Sequence, residues 1–289
     1  MGIFLIFYEW KNFTECKKFS STFFADVKIS SDDALREVRT PGDKDARPMT
    51  DSHPRHRLDA GYACGAETRQ RIIDAAIRLF GTRGFDGAST REIGRLAGIN
   101  APALRYYFDS KEGLYQACAE YIAGQSSAML APTLQAGRDA LAAGACAEVL
   151  AGRFLAIAGA SADMMLVTKT SDRRLFLAQE QAGYGPGGVF SEPLLVFRTE
   201  MGRVITGLIA AITDRAADDA VTQIRTLTLY GQLMVFHLAQ RSVLQTLGWE
   251  QIDAERLAQI KAILRSQSLV LMDAWRSEAG LPALDRAVI

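Results

Sequence analysis

The chain has 289 residues, 48% of them hydrophobic and 23% charged, and its formal net charge is +0. Such a composition fits one large globular domain or two smaller ones, and the neutral balance gives no global electrostatic case for nucleic acid or membrane as a partner. The charge is unevenly spread, however: residues 69–111 carry eight Lys/Arg against four Asp/Glu, and residues 122–289 fifteen against sixteen. A small basic segment on a larger neutral body suits a phosphate-contacting module attached to something else.

Residues 1–66 read as a disordered or extended leader. Residues 2–8 are apolar, but Glu9 follows at once; the run is too short to span a bilayer and lacks the basic start and small-residue cleavage site of a signal peptide. Residues 27–66 are polar, interrupted by Pro41, Pro48 and Pro54, and show no sustained period. An alternative is that translation begins at Met49. The four cysteines, Cys16, Cys64, Cys118 and Cys146, form no CxxC pair, and only His53, His56 and His237 could complement them. No zinc site, other metal site, cofactor or disulfide framework is expected, and a reducing cytoplasm fits.

From residue 66 the pattern becomes helical. Ile72, Ile73, Ala76, Leu79 and Phe80 recur at helical spacing and predict an amphipathic helix over 66–83, ended by Gly84. Ser89 and Glu92 form a Ser-x-x-Glu capping box that starts a second helix, with Ile93, Leu96 and Ala97 expected to face inward. Gly98 breaks it. Asn100 caps a third helix, where Pro102 is tolerated in the first turn. Leu104, Tyr107 and Phe108 are its expected inward residues. Ser110 caps a fourth, longer helix carrying Leu114, Cys118, Tyr121 and Ile122. Further helices are predicted over 138–158, 172–182 and 192–214, the last two separated by the GYGPGG loop at 183–188. Two long ones follow over 218–246 and 253–277, with Gly248 between them. No alternating strand pattern or fixed-period repeat occurs, so the expected fold class is all-α. Its expected organisation is a DNA-binding domain over 67–113 and a helical ligand-binding and dimerisation domain over 114–289.

Two short helices joined by a tight Gly-containing turn place the second of them in the DNA major groove. The candidate DNA-binding residues are Thr90 and Arg91 at the start of the second helix, and Asn100, Ala101, Ala103, Arg105 and Tyr106 on the third. Lys111, at the next helix start, completes the set. Small residues at a helix start let its N-terminus approach bases and phosphates closely. Arg105 can pair bidentately with guanine or neutralise a phosphate, while Tyr106 and Lys111 suit the backbone. The competing reading is a small helical subdomain whose cations are merely solvated.

The stretches LFGTRGFDGAST, REIGRLAGI and LRYYFDSKEGLY, within about residues 67–121, resemble the TetR family of bacterial transcriptional regulators. The resemblance implies an all-helical homodimer that binds a palindromic double-stranded DNA operator and, as a repressor, is released when a small molecule binds its C-terminal domain. The chain departs from the family in having Arg105 after the recognition-helix Leu, where Tyr is usual, and Pro102-Ala103 before it, where Gly-Thr is usual. Phosphate contacts therefore carry over to Tyr106 and Lys111 more safely than base contacts do. TREIGRLAGINAPALRYYFDSKEGLYQACAEYIA, the pair Glu180-Gln181 and LGWEQIDAERLAQIKAI are similar to the CecR-like branch of the family.

The last two long helices are the expected dimer interface. Val221, Ile224, Leu227, Leu233, Met234, Leu238 and Leu244 line one, and Leu257, Ile260, Leu264, Leu271 and Ala274 the other. An ordinary intramolecular core is the alternative. Candidate effector-binding residues are Met164, Phe176, Glu180, Phe197, Tyr230, Met234 and His237, with Met165, Phe190, Phe236, Arg173, Arg174 and Gln181 as further lining groups. Plain core packing competes for each aromatic and Met, and a satisfied core histidine for His237. The GYGPGG loop has no following Gly-Lys-Ser/Thr and is a connector or lid rather than a phosphate loop. No nucleophile–base pair, HExxH or dinucleotide fingerprint occurs, so no enzyme is expected. A small-molecule-binding helical protein with DNA binding secondary or lost is the alternative to a regulator.

Overall fold

The computed structural model describes residues 57–166, 171–188 and 191–289. The leader up to residue 56, the choice of Met49 as a start, and Phe190 lie outside the described residues. Gly61–Ile289 forms one compact unit, helical and without a strand among the described residues.

Helix α1 (Arg57–Gly87) begins ahead of the expected residue 66 and is interrupted at Gly84, whose φ of 72° turns the chain. Two short helices follow, α2 (Thr90–Ala97) and α3 (Ala101–Tyr107). Their caps form as the sequence predicts. Ser89 Oγ accepts from the Glu92 amide at 3.2 Å, and Asn100 Oδ1 accepts from the Ala103 amide at 2.9 Å. Each cap satisfies an otherwise orphaned donor and contributes about 1 kcal/mol. Between the helices Gly98 takes the left-handed conformation at φ 71°. Ile93 and Ala97 are buried, but Leu96, expected inside, is 43% exposed; the buried arc of α2 runs through Ile93, Gly94 and Ala97, and Leu96 lies to one side of it.

Helix α4 (Lys111–Ala142) starts in the helix-turn-helix module and ends in the body behind it. It packs against α5 (Ala147–Leu166) and α7 (Glu192–Ile212), which also pack on each other. The single helix expected over 138–158 is thus two, parted by a turn in which Gly144 has φ 59°. Helix α6 (Ser171–Gln181) precedes a 3-10 turn at Pro186–Gly188. The helix expected over 218–246 is also divided, into α8 (Ala220–Leu238) and α9 (Gln240–Leu247), at Ala239 with φ −100° and ψ 28°. Helix α10 (Ala254–Glu278) packs on α5 and α8.

One apolar cluster joins α1 to the first half of α4, through Ile72, Phe80, Leu114, Tyr115 and Cys118, and takes in Phe176 from α6. A second fills the body with Leu130, Phe154, Ile157, Leu208, Ile209 and Met272. Helix α5 is long and apolar enough to cross a membrane, but Leu150, Ala151, Phe154, Ile157 and Ala162 are buried against its neighbours, as in the core helix of a globular body.

Candidate functional site

The α2–α3 turn is compact because Gly94 lets the backbones approach: a Cβ there would stand 3.2 Å from the Ile99 carbonyl oxygen. Leu104 and Phe108 anchor α3 from below, 2% and 6% exposed. The opposite face carries Arg105 and Tyr106, both exposed, with Tyr106 85% accessible and its ring edge-on to Tyr107. Asn100 is exposed at the N-terminus of α3; its carbonyl oxygen serves the cap, so its amide NH2 is the group that faces outward chemistry. Ala103 is half-buried, and Ala101 takes part through its backbone in the first turn. Thr90 and Arg91 open α2, half-buried and exposed.

Lys111 is more tightly held than a surface lysine. Its Nζ lies 4.4 Å from the centre of the Phe85 ring and 3.5 Å from the Asp86 carbonyl oxygen, which fixes the start of α4 against the α1–α2 turn. Arg83 pairs with Glu92 at 2.6 Å, and that guanidinium, with the Ser89 hydroxyl, holds the Glu92 carboxyl below its ordinary value. This places a carboxylate within the module, while Arg91, Arg95 and Arg105 on α2 and α3 are exposed. Arg95, in the last turn of α2, stands four residues after Arg91 and so on the same helix face.

The expected effector residues fall into separate neighbourhoods. Phe176 packs at 4.8 Å on Tyr115 and 6.5 Å on Phe80, inside the cluster that holds the helix-turn-helix module together. Phe197 touches both main clusters, and Met164 and Tyr230 adjoin the second. Burial pushes the Tyr230 hydroxyl up to about 12, and it donates to Met201 Sδ at 3.6 Å. Met234 is buried on α8. His237 is buried with Nδ1 3.3 Å from the Met165 carbonyl oxygen; burial, and the nearby Arg174 cation, lower its pKa. Arg173 is engaged by Tyr121 at 3.2 Å. Half-buried Arg198 on α7, missed in the sequence, loses basicity to burial while Tyr230 and Glu180 favour its charge. Met165 and Phe236 border the small cluster of Leu166, Leu233, Leu257 and Ile260.

Glu180 ends up in a specific role. Its Oε2 accepts from both the amide and the hydroxyl of Ser191, each at 3.1 Å, and so ties the end of α6 to the start of α7. Beside it runs a groove of about 430 Å³ lined by Glu112, Gly113, Tyr115, Gln116, Pro186, Ser191 and Glu192. No local sequence signal marks this groove, because it assembles segments about 70 residues apart.

The expected dimer stripe divides. Leu233, Met234, Leu257 and Ile260 are buried within the chain, whereas Val221, Ile224 and Leu227 on α8 are 40–58% exposed. On α10 Leu264 and Leu271 are half-buried, and the outward apolar residues are Ile263 and Val270, which the expected stripe did not include. The intrachain core takes the residues one arc over from the outward faces.

The geometry agrees with what known proteins show. A family described as "Bacterial regulatory proteins, tetR family" matches residues 72–118, and one described as "HTH-type transcriptional dual regulator CecR, C-terminal domain" matches residues 152–275. The chain is 31% identical over 194 residues to the HTH-type transcriptional dual regulator CecR of Shigella flexneri, a match covering 66% of this chain and 85% of that protein. It is 40% identical over 65 residues to the HTH-type transcriptional regulatory protein RaaS of Mycobacterium tuberculosis, covering 22% of this chain and 30% of that one. A solved structure from Pseudomonas aeruginosa PAO1 shares the fold with a TM-score of 0.51 at 19% identity, covering 76% of this chain and 96% of that one. These relatives are named as regulators of transcription rather than enzymes. The chain therefore belongs to the TetR family of DNA-binding transcriptional regulators, in its CecR-like branch.

Proposed function

We propose that this regulator binds a palindromic operator as a homodimer, represses the genes behind it, and is released by a small molecule bound to its helical body. The observation that supports this most is the pairing of an exposed Arg105–Tyr106 face on α3 with an outward apolar stripe on α8 and α10. The first is a surface for a groove; the second is a surface for another copy. Two α8–α10 faces make a four-helix interface, and two α3 helices about 34–36 Å apart read successive major-groove faces. In this reading Arg105 contacts a base edge or phosphate. Thr90, Arg91, Asn100, Ala101, Ala103, Tyr106 and Lys111 position the module on the backbone.

Release works by differential affinity: an effector favours one arrangement of the body and thereby one separation of the α3 helices. Helix α4 runs from one part into the other, and α6 packs on α1 through Phe176 and on α8 in the body. The similarity to a regulator named as dual favours a second reading, in which the same protein activates at some promoters.

Selection of bound duplexes from a random pool, sequenced at two salt concentrations, tests the proposal. An enriched palindrome supports it; salt-sensitive binding with no enriched sequence overturns it and leaves small-molecule binding as the primary activity.

A further inference from the structure

Arg69 of α1 lies across the end of α3. Its guanidinium carbon stands over the Phe108 ring, 5.1 Å from the ring centre. Phe108 is the C-cap of α3 and only 6% exposed, whereas Arg69 is itself exposed. A guanidinium over a ring is held by the ring's quadrupole and keeps its N–H groups available to an acceptor. The planar fork is pre-organised there, so less rotamer freedom is lost when it meets a ligand.

No carboxylate takes up those N–H groups. Glu67 and Asp74 on α1, and Asp109 directly after Phe108, are exposed, and none forms an ion pair with Arg69 among the described residues. Asp74 accepts from Gln70 at 2.9 Å instead. Arg71 is the contrast. It is exposed on the same helix, but it stands about 200° further round the axis and donates to Thr68 Oγ1 at 3.3 Å.

The position of Arg69 selects its partner. Helix α3 has seven residues; a helix of that length spans about 10 Å, so a first turn set into a major groove about 12 Å wide brings the last turn to the wall of phosphates. Some helix-turn-helix modules rest the C-terminal end of the recognition helix on the backbone in this way. Arg69 stands at that end.

We propose that Arg69 contacts a DNA phosphate and that Phe108 is the platform that positions it. The contact extends the phosphate-binding surface from α2, α3 and the start of α4 to α1, and it rests on DNA binding by the helix-turn-helix module. Phe176 of α6 packs in the same cluster as α1, so the contact joins the DNA strand to the helix that meets the body.

The test uses the full chain and two labelled duplexes, one of mixed sequence and one carrying the selected palindrome, titrated by anisotropy over a range of salt concentration. Arg69→Met keeps an unbranched apolar cover on Phe108 and removes the charge. It should weaken both duplexes by the same factor and lower the slope of log affinity against log salt by about 0.9 for each protomer bound. Arg69→Lys, which keeps the charge, should restore the slope, and Arg71→Gln should leave it at the wild-type value. If Arg69→Met does not fold, Arg69→Gln reads the same slope. A residue that only braces Phe108 would lower the melting temperature of Arg69→Met without moving the slope. An unchanged slope in Arg69→Met, or an equal fall in Arg71→Gln, overturns the proposal. Failure of the wild-type chain to bind either duplex would instead overturn DNA binding itself, and the wild-type titration reads that separately.

Discussion

Gly81 on α1 and Phe176 on α6 are in backbone contact: a Cβ at Gly81 would stand 2.9 Å from the Phe176 amide nitrogen and 2.8 Å from the Asp172 carbonyl oxygen. Gln179 adds a hydrogen bond to the Gly81 carbonyl oxygen at 3.4 Å. Helix α6 thus lies on the first helix of the DNA-binding module, while its far end is tied through Glu180 to α7. Displacement of α6 has to be felt at α1, since packed interiors do not deform continuously.

Gly81→Ala puts a methyl group against backbone that cannot rotate away. It should destabilise the chain by about 1–3 kcal/mol, as overpacking does. Gly124→Ala is the control: it lies inside α4 with nothing within 4 Å of a Cβ, and should stabilise by about 0.5–1 kcal/mol. Urea titration of both variants checks the pair of signs.

Arg105→Ala should weaken operator binding and, if the guanidinium reads guanine, relax preference at one position of each half-site, by about 1–3 kcal/mol. Lys111→Ala should weaken binding evenly across sequences and reduce the salt slope by about one. Anisotropy titrations over a range of salt concentration separate the two. An Arg105 variant with unchanged affinity and preference would remove that residue from the interface.

Ile224→Glu places a charge in the outward stripe of α8 without touching the intrachain core, where Ile224 is 58% exposed. Light scattering should show a monomer with wild-type helicity, and binding to a full palindrome should fall to that of a half-site. A dimer that survives this change would move the interface elsewhere.

His237 gives the pH dependence a sign. Its folded pKa lies below the ordinary 6.5, so the unfolded chain binds the proton first on acidification. The contribution of the buried neutral ring is complete above about pH 6.5 and is lost as pH falls through the depressed folded value. His237→Gln should therefore flatten the decline in melting temperature between pH 7 and pH 5. An equally steep decline in the variant would assign it to other groups.

The helix-turn-helix was legible because its signals are local. Ser89, Asn100 and Ser110 each cap a helix within three residues of themselves, and Gly98 needs only its own φ. The breaks in the body were not legible. At Ala239 no glycine or proline marks the end of α8, and the Gly144 turn sits in an Ala-rich run whose helix propensity reads straight through it. Leu96 was misplaced because helical spacing alone does not fix how wide the buried arc is. The groove lined by Tyr115, Pro186 and Ser191 was beyond reach for a different reason: it exists only where α4 and the segment after α6 meet.

The proposed mechanism needs a rigid dimer that presents two α3 helices to one face of the duplex. The most direct measurement is the affinity of the full chain for its selected palindrome before and after insertion of five base pairs between the half-sites. About half a helical turn places the second half-site on the opposite face of the DNA. Affinity falling to that of an isolated half-site is the predicted result, and affinity unchanged by the insertion would contradict the account.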